Sequence, residues 1–260
     1  MACYSPLTLP VKHKPITKGG RHIWGERVLP CGSCLGCRAK QARDWAIRIM
    51  HETQMHESAW FVTLTYSNEN IPENGSLHPE HFRTLIKDLR RKRPSGSLSY
   101  FACGEYGDQT QRPHYHAVLY GLPLLDKYPF NSAGRNPTWR SPTLESYWPY
   151  GHSEFSTVTP GSASYVAGYV RKKLSKKAHP DAYTRVDPDT GELVEITQEF
   201  SRMSLKPAIG KRWIEKYYSE VYPKDFVVLD GKEFKPPRYY DKWLEENHPA
   251  LSFQVRYKRD

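Results

Sequence analysis

Apolar and polar positions alternate along this chain in short blocks, at period two in some and at helical spacing in others. Ala42, Trp45, Ala46, Ile49 and Met50 share one face of a helix predicted over Arg38 to His56, with Arg38, Lys40, Arg43 and Arg48 mostly outside that face. Trp60 to Tyr66 reads as a strand. Pro79 opens a second helix with apolar positions Phe82, Leu85, Ile86 and Leu89, closing on Arg90, Arg91, Lys92 and Arg93 before Pro94. Strands follow at about 98–105 and 114–121, then a Pro- and Gly-rich stretch to about 142 that reads as a loop. A short helix from Thr143 to Trp148 and a strand near Ser153 to Val158 come next. A further helix runs through Ser164 to Leu174, with Ser162 or Ser164 as its cap. The order β-α-β-β-α-β-α suits an α+β fold, an antiparallel sheet covered by helices.

The flanks read differently. Residues 1–30 show little periodicity and are taken as an extended arm. Asp181 to Glu199 holds six acidic residues and only Arg185 as a base, with a turn at Asp187 to Gly191, which suggests a protruding hairpin. From Leu205 onward a helix through Tyr218 precedes a hairpin over Phe226 to Phe234 that turns at Asp230-Gly231. Trp213, Tyr217, Tyr218, Tyr239, Tyr240 and Trp243 interleave there with Arg238 and Lys242. They either build a small core or stack on unpaired bases while the cations hold phosphates.

Charge narrows the class. With 38 Lys and Arg against 28 Asp and Glu, the net charge is +10. The isoelectric point is near 9.3 and the mean hydropathy -0.73. Such a chain is drawn to polyanions, nucleic acid first. No apolar run reaches membrane-spanning length and no secretion signal is seen, so a cytosolic protein without a membrane partner is expected. No P-loop of the G-x-x-x-x-G-K-[ST] kind occurs, so strand separation falls to a partner helicase or to superhelical tension.

Candidate chemistry sits in three places. His114 and His116 lie two apart in an apolar strand and therefore face one side. Glu105 ends the preceding strand, and a hairpin through Gly107 to Arg112 brings it beside them as a two-histidine, one-carboxylate metal site. The alternative is one packed and one solvated histidine. Tyr165 and Tyr169, four apart, share a helix face with Lys172, and Lys173 lies at its edge; packing against the sheet is the alternative there. Cys31, Cys34 and Cys37, with Cys3 as a fourth, suit structural zinc in a reducing compartment, or else are free thiols in a tight turn. Cys103 reads as a small core residue. Two nitrogens and one oxygen fit manganese or zinc by softness, while magnesium is favoured by abundance.

These segments, in order, resemble the HUH endonucleases (U, a hydrophobic residue), and among them the two-tyrosine rolling-circle replication initiators. Phe61 to Tyr66 looks like that family's first motif, His114-Tyr115-His116 like its second, and Tyr165 to Lys173 like its third. Met1 to Tyr4, Pro30 to Cys34, Phe101 to Gly107 and Lys235 to Tyr240 further resemble the initiators of small single-stranded DNA phages, the gokushovirus branch of the Microviridae.

The resemblance implies a central antiparallel sheet of about five strands, with a Cys-cluster arm before it and an extension after it. It implies magnesium or manganese on Glu105, His114 and His116, and nicking of the single-stranded or supercoiled viral origin by Tyr165 or Tyr169, with Lys172 or Lys173 assisting. The products are a 5′-phosphotyrosine and a 3′-hydroxyl that a host polymerase extends, followed by rejoining, all in the bacterial host cytoplasm. Candidate DNA contacts are Arg90, Arg91, Arg93, Arg171, Arg238 and Lys242. The expected parts are 1–57 (arm, cysteines and basic helix), 58–178 (catalytic core) and 179–260 (acidic hairpin and basic, aromatic extension). A non-catalytic, zinc-stabilised DNA-binding protein is the alternative, and a metal-dependent oxygenase or hydrolase a more distant one.

Overall fold

Strands β1 (Leu7–Lys12) and β2 (Trp24–Leu29) pair as an antiparallel hairpin, with Leu7 opposite Leu29. The computed structural model describes residues 3–12, 24–91, 98–133, 136–176, 183–187 and 190–259. The expected arm is thus partly a hairpin. Its exposed Leu7, Leu9 and Val28 meet no core, so no alternation marks it in the sequence. Helix α1 (Leu35–Thr53) starts at Cys34, whose sulfur accepts the Cys37 amide where an oxygen usually serves.

The middle of the chain forms β3 (Ala59–Tyr66), α2 (Pro79–Arg91), β4 (Ser99–Tyr106), β5 (Pro113–Tyr120), β6 (Tyr128–Asn131) and β7 (Thr138–Arg140). Helix α3 (Pro142–Tyr147), β8 (Gly151–Thr157) and α4 (Pro160–Lys176) follow. Then come β9 (Thr184–Val186), β10 (Leu193–Glu195), β11 (Phe200–Met203) and α5 (Lys211–Lys224). The chain ends with β12 (Val227–Leu229), β13 (Lys232–Phe234), α6 (Arg238–Asn247) and α7 (Pro249–Arg259).

The class is α+β, as the pattern predicts, and the main sheet is antiparallel throughout. Among the described residues it has seven strands, in the order β11, β4, β5, β3, β8, β7, β6, where about five were expected. Two of the additional strands, β6 and β7, come from the stretch read as a loop. They are short, and β6 is exposed along its whole length, so neither shows an apolar period. Strand β11 comes from beyond the acidic segment and pairs with β4, Ser201 opposite Cys103.

That acidic segment is docked rather than protruding. Arg185 of β9 donates to the carbonyls of Asn74, Gly75 and Gln111, and its guanidinium lies 4.7 Å over the Tyr106 ring. Glu199 is buried and accepts the Tyr106 amide.

Each sheet face carries its own core. On one, Val62, Leu64, Tyr115 and Leu119 pack under Phe82, Leu85, Ile86 and Leu89 of α2. On the other, Phe101, Cys103, Val118 and Tyr120 meet Ala46 and Ile49 of α1 and Ala163, Val166 and Ala167 of α4. Cys103 is thus the small core residue expected. A third cluster joins Ile47 of α1 to Trp213, Tyr222, Tyr240 and Trp243, so those C-terminal aromatics build a core. Each large apolar side chain buried in these clusters stabilises the fold by roughly 1.5–3 kcal/mol.

Helix α1 therefore packs on two sides. This corrects the reading of Arg48 as an outward residue, because it is only 8% exposed. Helix α4 is capped one turn earlier than predicted. Thr159 Oγ1 accepts the Ser162 amide and Ser162 Oγ accepts the Thr159 amide, a reciprocal box that leaves Pro160 in the first helical position.

Candidate functional site

Strand pairing assembles the site. Glu105 of β4 stands opposite His114 of β5, and His114 opposite Thr65 of β3; one step along, Cys103, His116 and Thr63 align the same way. Period-two geometry puts all six on the face shared with α1 and α4. The hairpin between β4 and β5 closes through the Gly107 amide on the Arg112 carbonyl, which sets this register. Glu105 is next to Gly104, where an added methyl would come within 2.8 Å of the Phe200 ring. Glycine at 104 lets β11 lie close against the carboxylate strand.

One carboxylate oxygen is the hub. Glu105 Oε1 lies 2.8 Å from His114 Nε2, 2.9 Å from His116 Nε2 and 2.8 Å from the Tyr165 hydroxyl, which donates to it. Tyr169 donates to the Tyr165 oxygen at 3.1 Å, so the second phenol reaches the hub through the first. Tyr165 is 44% exposed and Tyr169 8%, which leaves Tyr165 the phenol open to an incoming strand. The Tyr165 ring stands edge-on to His116 at 5.0 Å, and Phe61 stacks parallel to His116 at 5.4 Å.

Outer contacts orient both imidazoles. His114 Nδ1 donates to the Arg112 carbonyl at 3.0 Å, and His116 Nδ1 faces Thr63 Oγ1 at 3.1 Å. Holding each Nδ1 directs each Nε2 inward, the arrangement metal-ligating histidines use.

Burial would raise the Glu105 carboxyl, yet the hydrogen bonds from His114 and His116, with the Tyr165 hydroxyl behind them, hold it down at about 2. Burial works against a charged His114, but its hydrogen bond to Glu105 prevails and raises its pKa above the usual imidazole value. With Nδ1 on a carbonyl and Nε2 on a carboxylate, His114 donates from both nitrogens, as an imidazolium does. Tyr165 is pushed above the ordinary phenol range, first by burial and then by the Glu105 carboxylate. Anything that draws the Glu105 charge away lowers the barrier to a Tyr165 phenolate.

The donor set suits a divalent cation. Ligand atoms of Glu105, His114 and His116 lie within 4.8 Å of one another, and Glu105 Oε2 is buried with no hydrogen-bond partner. A buried orphan oxygen beside two inward imidazole nitrogens is what a cation would satisfy.

A second group capable of holding a metal lies at the N-terminus, where the sulfurs of Cys3, Cys31, Cys34 and Cys37 fall within 4.8 Å. Amides of Tyr4, Cys31 and Cys34 point at Cys34, Cys3 and Cys31 sulfurs at 3.3 to 3.4 Å. The Cys34 and Ser33 amides lower the Cys31 thiol to about 6, and the Tyr4 amide lowers Cys34. Burial pushes Cys37 up to about 12.

Other predicted residues lie elsewhere. Arg90 donates to the Leu98 carbonyl and Arg91 pairs with Asp88, both on α2 over the opposite sheet face. Lys242 is exposed and 3.6 Å from Glu246, and Arg238 begins α6. Arg93 and the side chains of Arg171, Lys172 and Lys173 lie outside the described residues. Sequence reasoning missed Thr63 and the Arg112 carbonyl. It also missed a neighbouring cavity of about 360 Å³ lined by Thr65, Phe130, Arg140, His152 and Glu154. Thr65 alternates in phase with Thr63, but no local signal pairs β3 with β8.

Residues 59–174, from β3 into the tyrosine helix, match the family model of the Replication-associated protein ORF2. The chain is 37% identical over 232 residues to Replication-associated protein VP4 of Bdellovibrio phage phiMH2K, across 85% of this chain and 69% of that one. The chain belongs to the phage replication-associated protein family. A second replication-associated relative, ORF2 of Spiroplasma virus 4, is 32% identical over 230 residues, 84% of this chain and 68% of its own. ORF4 of Chlamydia phage 1 is 26% identical over 226 residues, 84% and 54% of the two chains. No solved structure matches. These replication-associated relatives agree with the gokushovirus-like resemblance read from the motifs. In this replication-associated protein the cysteine cluster and helices α5 to α7 fall outside the family-matched span. No described helix is long and apolar enough to cross a membrane.

Proposed function

We propose that this chain initiates replication of a small phage genome by nicking the viral DNA origin. The observation that carries the reading is the 2.8 Å contact between the Tyr165 hydroxyl and the Glu105 oxygen that both histidines share. Glu105, His114 and His116 would hold magnesium or manganese, which supplies Lewis acidity toward a phosphate oxygen. Thr63 and the Arg112 carbonyl keep the two imidazoles turned inward, and α4 carries Tyr165 to the same spot.

The Tyr165 oxygen attacks phosphorus, the bond from phosphorus to the 3′ oxygen breaks, and the phenolic proton leaves so that the 3′ oxygen ends as a hydroxyl. The 5′ phosphate stays on tyrosine, which conserves the phosphodiester energy for rejoining. Tyr169, hydrogen-bonded behind Tyr165, is set for the second cut after a full round. Lys172 and Lys173 are assigned to the phenolate or the phosphate. A host polymerase extends the 3′ end while a host helicase or supercoiling opens the duplex, in the cytoplasm of the bacterial host. The four cysteines take zinc as a structural ion.

The test is incubation of the full chain with end-labelled single-stranded origin DNA and manganese. A conjugate that survives denaturant and maps to the Tyr165 or Tyr169 peptide is expected. A chain that binds the DNA but never becomes attached would leave only the zinc-stabilised binding protein.

A further inference from the structure

The cysteine turn, α1 and the start of α6 enclose a separate cavity of about 420 Å³, with Gly32, Lys40, Gln41, Arg48 and Arg238 in its walls. Arg48 is the unusual member. Its guanidinium is sandwiched 4.0 Å from the Trp45 ring and 4.0 Å from the Tyr239 ring, and its Nε donates to the Ile209 carbonyl at 2.9 Å. Among the described residues no hydrogen bond or ion pair engages either terminal nitrogen, and neither is sealed from solvent. A side chain nine-tenths buried thus presents a bare two-pronged cationic edge to an open cavity.

The surroundings share its sign. Helix α6 begins at Arg238 with no side-chain cap, so its first amides remain for another acceptor. Arg238 itself is exposed at the rim. Asp44 also lines the cavity, but Lys40 holds its carboxylate at 2.8 Å. Glu52, one turn past Arg48, spends its two oxygens on His56 and the Gly210 amide. Neither acid is free to neutralise Arg48.

We propose that this cavity grips a backbone phosphate of single-stranded DNA, with the fork of Arg48, Arg238 and the α6 amides as donors. A planar guanidinium offering two N–H groups in one plane matches two phosphate oxygens. Both rings beside Arg48 are already covered by it, which leaves no stacking surface for a base and selects the phosphate. The assignment rests on DNA being the substrate, and it has the N-terminal arm and the C-terminal extension jointly anchor the strand away from the tyrosines. Gln41 ties the cavity wall to the cysteine turn through its bond to the Gly32 carbonyl at 3.1 Å.

The experiment titrates the full chain with a fluorescein-labelled thymidine oligonucleotide at several salt concentrations, comparing wild type, Arg48→Gln and the surface variant Arg238→Gln. Circular dichroism verifies folding. Each variant is expected to bind roughly tenfold more weakly. The slope of log affinity against log salt should fall by about 0.7, the value for one fewer neutralised phosphate on a single strand. Unchanged affinity and slope in folded Arg238→Gln and Arg48→Gln would overturn the proposal. So would calorimetric binding of inorganic phosphate that Arg48→Gln abolishes while oligonucleotide affinity stays the same, since that marks a free-anion site. Wild type that binds DNA through these residues yet forms no covalent adduct would sink the nicking reading alone.

Discussion

The hydroxyl oxygens of Tyr165 and Tyr169 lie 3.1 Å apart, and only the first touches Glu105. The two phenols are therefore unequal before any DNA arrives. Tyr165→Phe is expected to reduce the first covalent adduct more than Tyr169→Phe, and the double variant to form none. Adduct yield on denaturing gels decides it; equal yields from the two single variants would refute the order.

Thr63 is expected to matter without touching DNA. Thr63→Val leaves the His116 Nδ1 proton without its oxygen 3.1 Å away, so the ring loses its fixed direction. Manganese affinity should fall roughly 10- to 100-fold, as for other partners of metal-bound histidines. Calorimetry with manganese alone checks this, and a Thr63→Ser variant should restore most of the loss.

Protons and metal compete at His114. Its pKa is raised above the ordinary imidazole value because the Glu105 hydrogen bond outweighs burial, so at neutral pH a bound cation must displace a proton. Apparent metal affinity should rise roughly tenfold per pH unit until pH exceeds that raised pKa, then level off. Calorimetry from pH 6 to pH 9 tests it; flat affinity from pH 6 upward would contradict a protonated His114.

Acid should loosen the C-terminal extension. His51 is 2% exposed, stacked 3.5 Å from the Trp213 ring and bonded to the Tyr240 hydroxyl, and burial lowers its pKa to about 3. Folded His51 stays neutral while the unfolded chain takes up a proton below about 6.5. Stability is thus complete above that pH and declines by about 1.4 kcal/mol per pH unit as pH falls toward 3. Urea midpoints at pH 7.5 and 5 should differ accordingly, and His51→Gln should shrink the difference.

Cys34→Ser should abolish one zinc per chain in elemental analysis, since Cys34 both belongs to the sulfur group and caps α1. Proteolysis between β2 and α1 should become faster. Zinc retained at wild-type stoichiometry would remove the cluster from consideration as a metal site.

Much of the site is legible in the sequence because each part is local. Period two puts His114 and His116 together, a short turn returns Glu105 to them, and helical spacing aligns the tyrosines. What joins distant segments is not legible. Thr63 meets His116 across fifty-three residues, and nothing in either segment names the other. Arg48 looks solvated because α1 shows one apolar stripe, whereas the helix is covered on two sides by cores built from opposite ends of the chain. Strands β6, β7 and β11 add to the sheet with too few residues to display a period.

The edge position of β11 has a consequence for anyone trimming this protein. Phe200 to Met203 close the outer rim of the strand that bears Glu105. A fragment ended at residue 178 would expose that rim's unpaired amides and carbonyls, an invitation for one copy to zip onto another. The polypeptide after the tyrosine helix thus doubles as a guard against clumping, and a minimal nuclease should be cut no earlier than Ser204.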